Sequence, residues 1–498
     1  MRSYAAGRKP IAVQPREGSD KVAISAASGI LVAFAAILAW TILVNIPTFA
    51  FEDADDGFFL EVGHLWNQGL PPYVGAFDVK GPGGFALVAL ATLLFGPTLA
   101  ALKILGVLSS AVAGTALYWM CARYDRAAAV LCALIYPIAM IACGDVVYET
   151  MNAALLIAFA IAFCDPAGPA KAMAAGLAVG AACAIKQTCA VDALAVVYIL
   201  WSKEAPKADR VRAVLAFSSA IPAVPLGFFL YYASRGDAGI LLQDVVGAAL
   251  LRGSAAPLGT ALHSLADCFF PVSVIFVVAC MAGSNFAKLA TRFPIRAMTV
   301  WAAVELTAIV VQTAGCRTYV TPLVAPLLMI ASIYVSESYR REGRNRRAFA
   351  LGLFGVAAFC GVMAGHGAAI LRKMTGVDYE LLSQVKATIA DTRPQEDDRL
   401  LVVNGAAFAN IVTDRRPPTP IFHWAHILCD FPGAGFPALV DNFEAKPRYV
   451  VFENPDKRPS CQPESYRNEI DSALKENYLL ISQGRTGRSA YQVFEREK

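Results

Sequence analysis

The stretch VAISAASGILVAFAAILAWTILVNI, residues 22–46, runs for 25 residues without a charge. A helix of that length reaches ~37 Å at 1.5 Å per residue, enough to cross a hydrocarbon core of ~30 Å. The run is too long for a signal peptide, and no small-residue cleavage site precedes the acidic stretch after it, so it reads as a retained helix. Further apolar runs follow, and the chain is 57% hydrophobic and only 16% charged, against roughly 25% charged in a soluble domain. This composition calls for an α-helical polytopic membrane protein. Ten of the twelve cysteines lie within or beside apolar runs, where Cys behaves as a small hydrophobe. The chain has no CxxC or zinc-ligand spacing. No basic stripe interleaved with aromatics points to nucleic acid.

The basic residues set the topology. Arg2, Arg8, Lys9, Arg16 and Lys21 precede the first run, which places the N-terminus in the cytoplasm. Later runs are expected near residues 99–121, 127–143, 151–164, 172–185, 190–201, 213–233, 261–283, 297–314, 318–335 and 348–371. With the first, these make about eleven transmembrane helices. Basic loops alternate with them in an N-in, C-out order, and Arg372 and Lys373 are the main dissent. GGFALVALATLLFGP is too short to span, so it reads as an interfacial helix on the outer face. FFLEVGHLWNQG reads as another, from the spacing of its Phe, Val, Leu and Trp residues. Residues 1–376 are thus expected to form a transmembrane domain with a first outer loop at about 50–98. Residues 377–498 carry β-branched and aromatic runs (DDRLLVVNG, PRYVVFEN, LLISQGRT, SAYQVFE) and the helix-like YRNEIDSALKENY. They read as a small α/β domain outside the membrane.

On this topology one face collects the polar groups. FEDADDGFF places Glu52, Asp53, Asp55 and Asp56 within five positions at the mouth of the first span. Asp78, Lys80, Asp145, Glu149, Lys186, Arg235, Arg252 and Arg317 join them from other outer loops. An acid beside a span is ordinarily a solvated helix end, and a cation there a headgroup anchor. Four acids in five positions, followed by amphipathic aromatics, form a denser pattern. Ionisable groups at membrane depth are costly and mark functional cavities. Acids together with cations suit a chemistry in which a carboxylate deprotonates an acceptor hydroxyl while cations hold a phosphate leaving group.

Several segments carry a resemblance. DDGFFLEVGHLWNQGLPPY is similar to the Asp-Glu-Gly-Tyr-Tyr-Leu and Gly-x-x-Pro-Tyr pattern of the GT-C membrane glycosyltransferases. That superfamily holds the protein mannosyltransferases and the lipid A aminoarabinose and galacturonosyl transferases. FDVKGPGGFALVALATLLFGP resembles its Asp-x-Lys-Pro-Pro segment and interfacial helix, and GDVVYETMNAALLIAFAIAF its second outer loop. AGLAVGAACAIKQTCA looks like its Gly-rich span ending in Lys-Gln, and CRTYVTPLVAPLLMIAS like its late Arg-x-Tyr-x-x-Pro segment. The order of these segments over nearly the whole chain strengthens the resemblance.

The resemblance implies inverting transfer of a sugar from a polyprenyl-phosphate donor to an envelope lipid or polysaccharide. The site would be the periplasmic face of a bacterial inner membrane. Asp55 falls on the catalytic first-loop acid, Asp56 on its neighbour and Glu149 on the second-loop acid. Lys80 and Arg317 fall on cations for the donor phosphate, with Lys186 joining them, and Asp53, Asp78 and Asp145 are supporting acids. A divalent metal, with Asp56 and Glu149 as its ligands, is left open, because some relatives in this fold need one and others do not. Asp56 stands where the family has Glu, Gly81 where it has the first Pro after the lysine, and Thr318 where it often has His. The Gly81 change is expected to loosen that turn. The rival readings are a flippase for a lipid-linked sugar and a non-catalytic envelope assembly protein. Transporters usually carry polar groups near the midplane, whereas the spans here are almost uncharged inside, Glu305 being the clearest exception, and that favours the transferase. His423 and His426 lack further ligands nearby, and pairing of Cys429 with Cys461 is open.

Overall fold

The computed structural model describes residues 19–46, 49, 55–143, 145–164, 168–252, 293–312, 317–340, 379–403, 408–422, 441–453, 464–485 and 490–497. The expected spans at 261–283 and 348–371 lie outside the described residues, as do Glu52, Asp53, His423, His426, Cys429 and Cys461.

Helix α1 (Ser19–Asn45) is followed by two short helices, α2 (Asp56–Asn67) and α3 (Pro82–Phe95). Pro82 opens α3 at its first turn, where the missing N–H costs nothing. Gly96, at φ 79°, ends it. Fourteen residues give α3 a length of ~21 Å, too short to span. Its far end leaves Leu93 and Leu94 largely exposed, which suits a helix seated in a lipid interface. Then come α4 (Leu99–Ala122), α5 (Arg126–Cys143), α6 (Val146–Cys164), α7 (Pro169–Ile185), a 3-10 turn (Gln187–Val191) and α8 (Asp192–Trp201). They are followed by α9 (Lys207–Ala220) and α10 (Ala223–Ser234), which flank Pro222. Helix α11 (Ala238–Leu242) runs into a π-helical turn, Gln243–Ala248. The outer loop expected to carry Arg235 and Arg252 is therefore largely helical where described. Helix α12 (Phe293–Gln312), a 3-10 turn (Arg317–Val320) and α13 (Thr321–Arg340) complete the described bundle.

Five of these helical segments are long and apolar enough to cross a membrane: Ser28–Asn45, Leu99–Ala122, Val146–Cys164, Lys207–Ser234 and Thr318–Glu337. Helix α6 starts before the expected residue 151, because Asp145 accepts hydrogen bonds from the N–H groups of Val147 and Tyr148 at 2.9 and 3.0 Å. That cap draws Glu149 into the first helical turn.

The tail begins with α14 (Tyr379–Asp391) and continues with β1 (Leu400–Val403), α15 (Phe408–Thr413), β2 (Tyr449–Glu453), α16 (Glu464–Asn477), β3 (Tyr478–Arg485) and β4 (Ala490–Arg496). The sheet order is β1-β2-β4-β3, with β1 and β2 parallel and the remaining pairs antiparallel. All four residues of β1 are buried, as expected for a strand covered on both faces. Leu400 and Val402 pack with Leu381 and Val385 of α14, while Leu401 and Val403 pack with Ile470 and Leu474 of α16. The alternation follows from the strand's period of two.

Phe58 and Phe59 of α2 belong to the same apolar core as Leu400, Val402 and Val451 of the sheet. The Phe58 and Phe422 rings lie 5.5 Å apart, and Phe77 N–H donates to Pro420 O at 2.8 Å. The tail thus covers the face of α2 turned away from the bundle. Glu61 is buried on that covered face at 1% exposure. Burial pushes its carboxyl up to about 8, the Asp414 carboxylate adds to the rise, and the Arg416 guanidinium opposes it. The unfolded chain ionises this group near its ordinary value of 4.5. Stability is therefore full below that pH and falls as pH rises toward about 8. Each tenfold change in proton affinity is worth about 1.4 kcal/mol, so the window amounts to a few kcal/mol. We expect Glu61→Gln to flatten the decline in thermal stability between those pH values. An unchanged pH profile in detergent would show that Glu61 is not its source.

Candidate active site

The acids and cations come from the ends of short elements rather than from span interiors. Asp55 occupies the N-cap position of α2, half-buried, and its side chain does not cap the helix. Asp56, 5% exposed at its side chain, accepts from Lys103 Nζ at 3.1 Å. Lys103 lies in the second turn of α4 and escaped the sequence reading. Its signal was a lone lysine inside an apolar run, which is costly without a partner. The pair pins the start of α2 to α4.

The turn after α2 presents Lys80. Asp78 Oδ1 accepts the N–H groups of Val79 and Lys80 at 2.6 and 2.9 Å, and its Oδ2 accepts Lys80 Nζ at 3.1 Å. Lys80 Nζ also stands 5.1 Å from the Phe59 ring centroid. Burial acts to lower the affinity of Lys80 for its proton. The carboxylates of Asp78, Asp55 and Asp145 outweigh that effect and hold the ammonium above the ordinary lysine range. Acids of the first and second loops therefore act on one cation.

The second cation is Lys186, just after α7. Its Nζ donates to Tyr148 OH. It lies 4.2 Å from the Tyr148 ring centroid and 3.7 Å from that of Tyr319. This is a cation–π cage. The cage joins α6, α7 and the turn before α13, and neither tyrosine was foreseen.

The Lys80 and Lys186 turns are stitched together. Gly81 N–H donates to Ile185 O at 3.0 Å, and Gln187 Nε2 donates to Val79 O and Val245 O, each at 2.9 Å. Gly81 holds an ordinary φ of −69°, and a Cβ there would overlap the Ala184 carbonyl. Glycine serves close approach here and does not loosen the turn, since proline would lose both the clearance and the N–H.

Glu149, in the first turn of α6, lies in the field of Lys103, Asp145 and Asp56. Its carboxylate rests over Gly106 of α4, where an added Cβ would overlap Glu149 Oε2. Arg317 begins the 3-10 turn Arg317–Val320, and its side chain lies outside the described residues, as does that of Arg252. Arg235, placed by the sequence among the outer-face cations, donates to Gly69 O at 2.9 Å and pairs with Asp237 at 3.4 Å. It braces the chain after α2. Deeper in the bundle, Trp301 Nε1 reaches Asp192 at 2.9 Å and Glu305 at 3.3 Å, so Glu305 has a buried acidic neighbour. Among the described residues no three His, Cys, Asp or Glu side chains gather to hold a metal ion. Asp56 faces an ammonium instead.

Known proteins were compared at three levels. No family model matches the chain, and no curated protein matches its sequence. Solved structures do match. ArnT from Cupriavidus metallidurans, in the apo state, aligns with a TM-score of 0.63 and 15% identity, covering 94% of this chain and 98% of that one. The same protein bound to undecaprenyl phosphate aligns with a TM-score of 0.61 and 14% identity over the same shares. The oligosaccharyltransferase AglB from Archaeoglobus fulgidus, in complex with an inhibitory peptide and a dolichol-phosphate, gives 0.50 and 13%, covering 93% and 74%.

The chain has the GT-C fold. Within this fold the two short helices after the first span, the Lys80 and Lys186 turns and the start of α6 meet at one end of the bundle.

Two expectations follow from the packing. Gly106→Ala should leave the fold intact, because the crowded atom is the end of a flexible side chain. It should move the Glu149 carboxylate by an ångström or so; were Glu149 part of a reaction, misplacement on that scale would lower turnover about 10²-fold. Full activity in a folded Gly106→Ala protein would take Glu149 out of the reaction. Lys103→Met removes a charged hydrogen-bond partner from the buried Asp56 carboxylate and should cost about 1.5–3 kcal/mol. Adding Asp56→Asn should recover most of that loss in detergent unfolding, and no recovery would deny the pair its structural role.

Proposed function

We propose that this protein transfers a sugar from a polyprenyl-phosphate donor to a hydroxyl of a cell-envelope lipid or polysaccharide, with inversion at the anomeric carbon. The supporting observation is the stitched pair of turns that carries Lys80 and Lys186, with Asp55 and Asp145 in the electrostatic field of Lys80. The likeness to ArnT bound to undecaprenyl phosphate, and to AglB bound to a dolichol-phosphate, adds that proteins of this fold take such carriers.

In this reading Asp55 is the general base. It takes the proton of the acceptor hydroxyl as that oxygen bonds to the anomeric carbon. The bond from the anomeric carbon to the carrier phosphate breaks on the opposite face, and its electron pair leaves on the phosphate oxygen. Lys80, Lys186 and Arg317 meet that growing charge, which preorganised cations stabilise most in a water-poor site. Buried between Asp78 and Phe59, the Lys80 ammonium is fixed in place before the donor arrives. Asp56, held by Lys103, sets the first turn of α2 and with it the position of Asp55. Glu149, limited by Gly106, faces the acceptor side, and Asp78 and Asp145 orient the lysine turn and α6. The first loop and the tail, residues 377–498, stand on the periplasmic side in the N-in order that the basic loops indicate. No step is routed through a metal, since Asp56 and Glu149 gather no third ligand among the described residues.

A second reading has its own observation. The Asp192 and Glu305 carboxyls share Trp301 Nε1 inside the bundle, and polar groups at such depth suit a flippase of the lipid-linked sugar.

The deciding experiment is transfer from a panel of labelled polyprenyl-phosphate sugars by purified protein. Asp55→Asn should reduce transfer about 10³-fold or more, and Lys186→Gln about 10²-fold, both without loss of thermal stability. Undiminished transfer in Asp55→Asn would reject it as the base. Vesicle translocation without transfer from any donor would favour the flippase.

A further inference from the structure

Between α2 and the tail lies a cavity of about 150 Å³, apart from the carboxylates and lysines described above. Glu61, His64 and Gln68 form one wall. They recur at i, i+3 and i+7, a single stripe of the helix. Asp398, Asp414 and Arg416 stand on the opposite wall. That wall is braced: Arg416 Nε donates to Gln68 Oε1 at 2.8 Å, and His64 Nε2 lies 3.4 Å from Asp414 Oδ1. Glu61 Oε2 is different. The residue is 1% exposed, and this oxygen has no hydrogen-bond partner among the described residues. Buried polar atoms are rarely left unsatisfied, and this one belongs to a residue that lines a polar cavity.

The lining narrows the chemistry. Every lining residue is polar or charged, so no wall suits an acyl chain or aromatic ring. Five carboxyl side chains outnumber three guanidinium groups, which disfavours an anion. No three ligating side chains among the described residues come close enough to hold a metal ion. Carboxyls, amides and guanidinium groups side by side match a ligand whose groups both donate and accept, as hydroxyls do. The cavity also lies in line with the proposed base. At 1.5 Å per residue along α2, Glu61 is about 9 Å and His64 about 13 Å from Asp55, a distance a short saccharide bridges.

We propose that this cavity binds a saccharide unit of the acceptor, so that the acceptor is a glycan or glycolipid and not a bare lipid hydroxyl. The word acceptor rests on the transferase reading; the saccharide site itself does not.

The test uses the full-length protein in detergent and saturation-transfer NMR with the methyl glycosides of glucose, galactose and glucosamine. At least one glycoside should bind wild type and Asp55→Asn alike. Glu61→Ala and Asp414→Ala should each weaken that binding about tenfold, the loss of one or two hydrogen bonds. The Asp414 side chain is 80% exposed, so its substitution spares the packing even if Glu61→Ala fails to fold. No binding by any glycoside, or full binding in Asp414→Ala, overturns the proposal. Glycoside binding that needs Asp414, with no transfer from any donor, leaves the site standing while the transferase reading falls. Transfer whose acceptor KM ignores Asp414→Ala does the reverse.

Discussion

The whole arrangement depends on the burial of α2. A twelve-residue helix has little stability of its own in water. This one is fixed because Phe58, Phe59, Leu60 and Leu65 are each 2% exposed or less. They pack in one core with Phe85 of α3, Leu102 of α4, Val147 of α6 and the tail sheet. Bundle and tail therefore share a core through α2. The acids at its N-terminus inherit that rigidity, since only Gly57 separates Asp55 and Asp56 from Phe58. Charge that would be mobile in a loop is held to a fixed position.

Burial also decides how the cations behave. A lysine in a low-dielectric setting loses its proton unless carboxylates hold it. Lys80 has Asp78 in contact and Asp55 and Asp145 within electrostatic reach, so it stays charged. Lys186 has aromatic faces instead, from Tyr148 and Tyr319. The two solutions differ in consequence. A carboxylate in contact competes with an incoming phosphate for the ammonium, whereas a ring face does not. On the transferase reading, both lysines face the donor phosphate, and Lys80 is the one held in place by a carboxylate.

Much of the architecture was legible because its signals are local. The apolar run expected at 99–121 is α4 at Leu99–Ala122, and the short run after Gly81 is α3. LLVV, YVVFE and the last two tail runs became strands, through β-branched and aromatic content that single segments display. Less was legible where partners are distant in sequence. Lys103 meets Asp56 across 47 positions, and Gln187 meets Val79 across 108. The Asp145 cap was local, yet hydropathy put the helix start at Met151 and so left Glu149 in a loop. Arg235 looked like a free cation because a backbone acceptor, Gly69 O, leaves no trace in composition.

Gly81 shows how a departure from a family pattern can be read in two ways. By sequence, glycine in place of proline means a freer turn. In the structure its backbone sits within an α-carbon's reach of the Ala184 carbonyl, with its N–H spent on Ile185 O. The turn carrying Lys80 and the turn carrying Lys186 are thereby one unit, with Gln187 as a second tie through Val79 O. Proline would stiffen one turn while separating it from the other. The two lysine-bearing turns are thus tied by backbone contact, the least compliant kind available to a protein. A phosphate meeting both lysines would find their stems rooted on one unit and not on two turns that move apart.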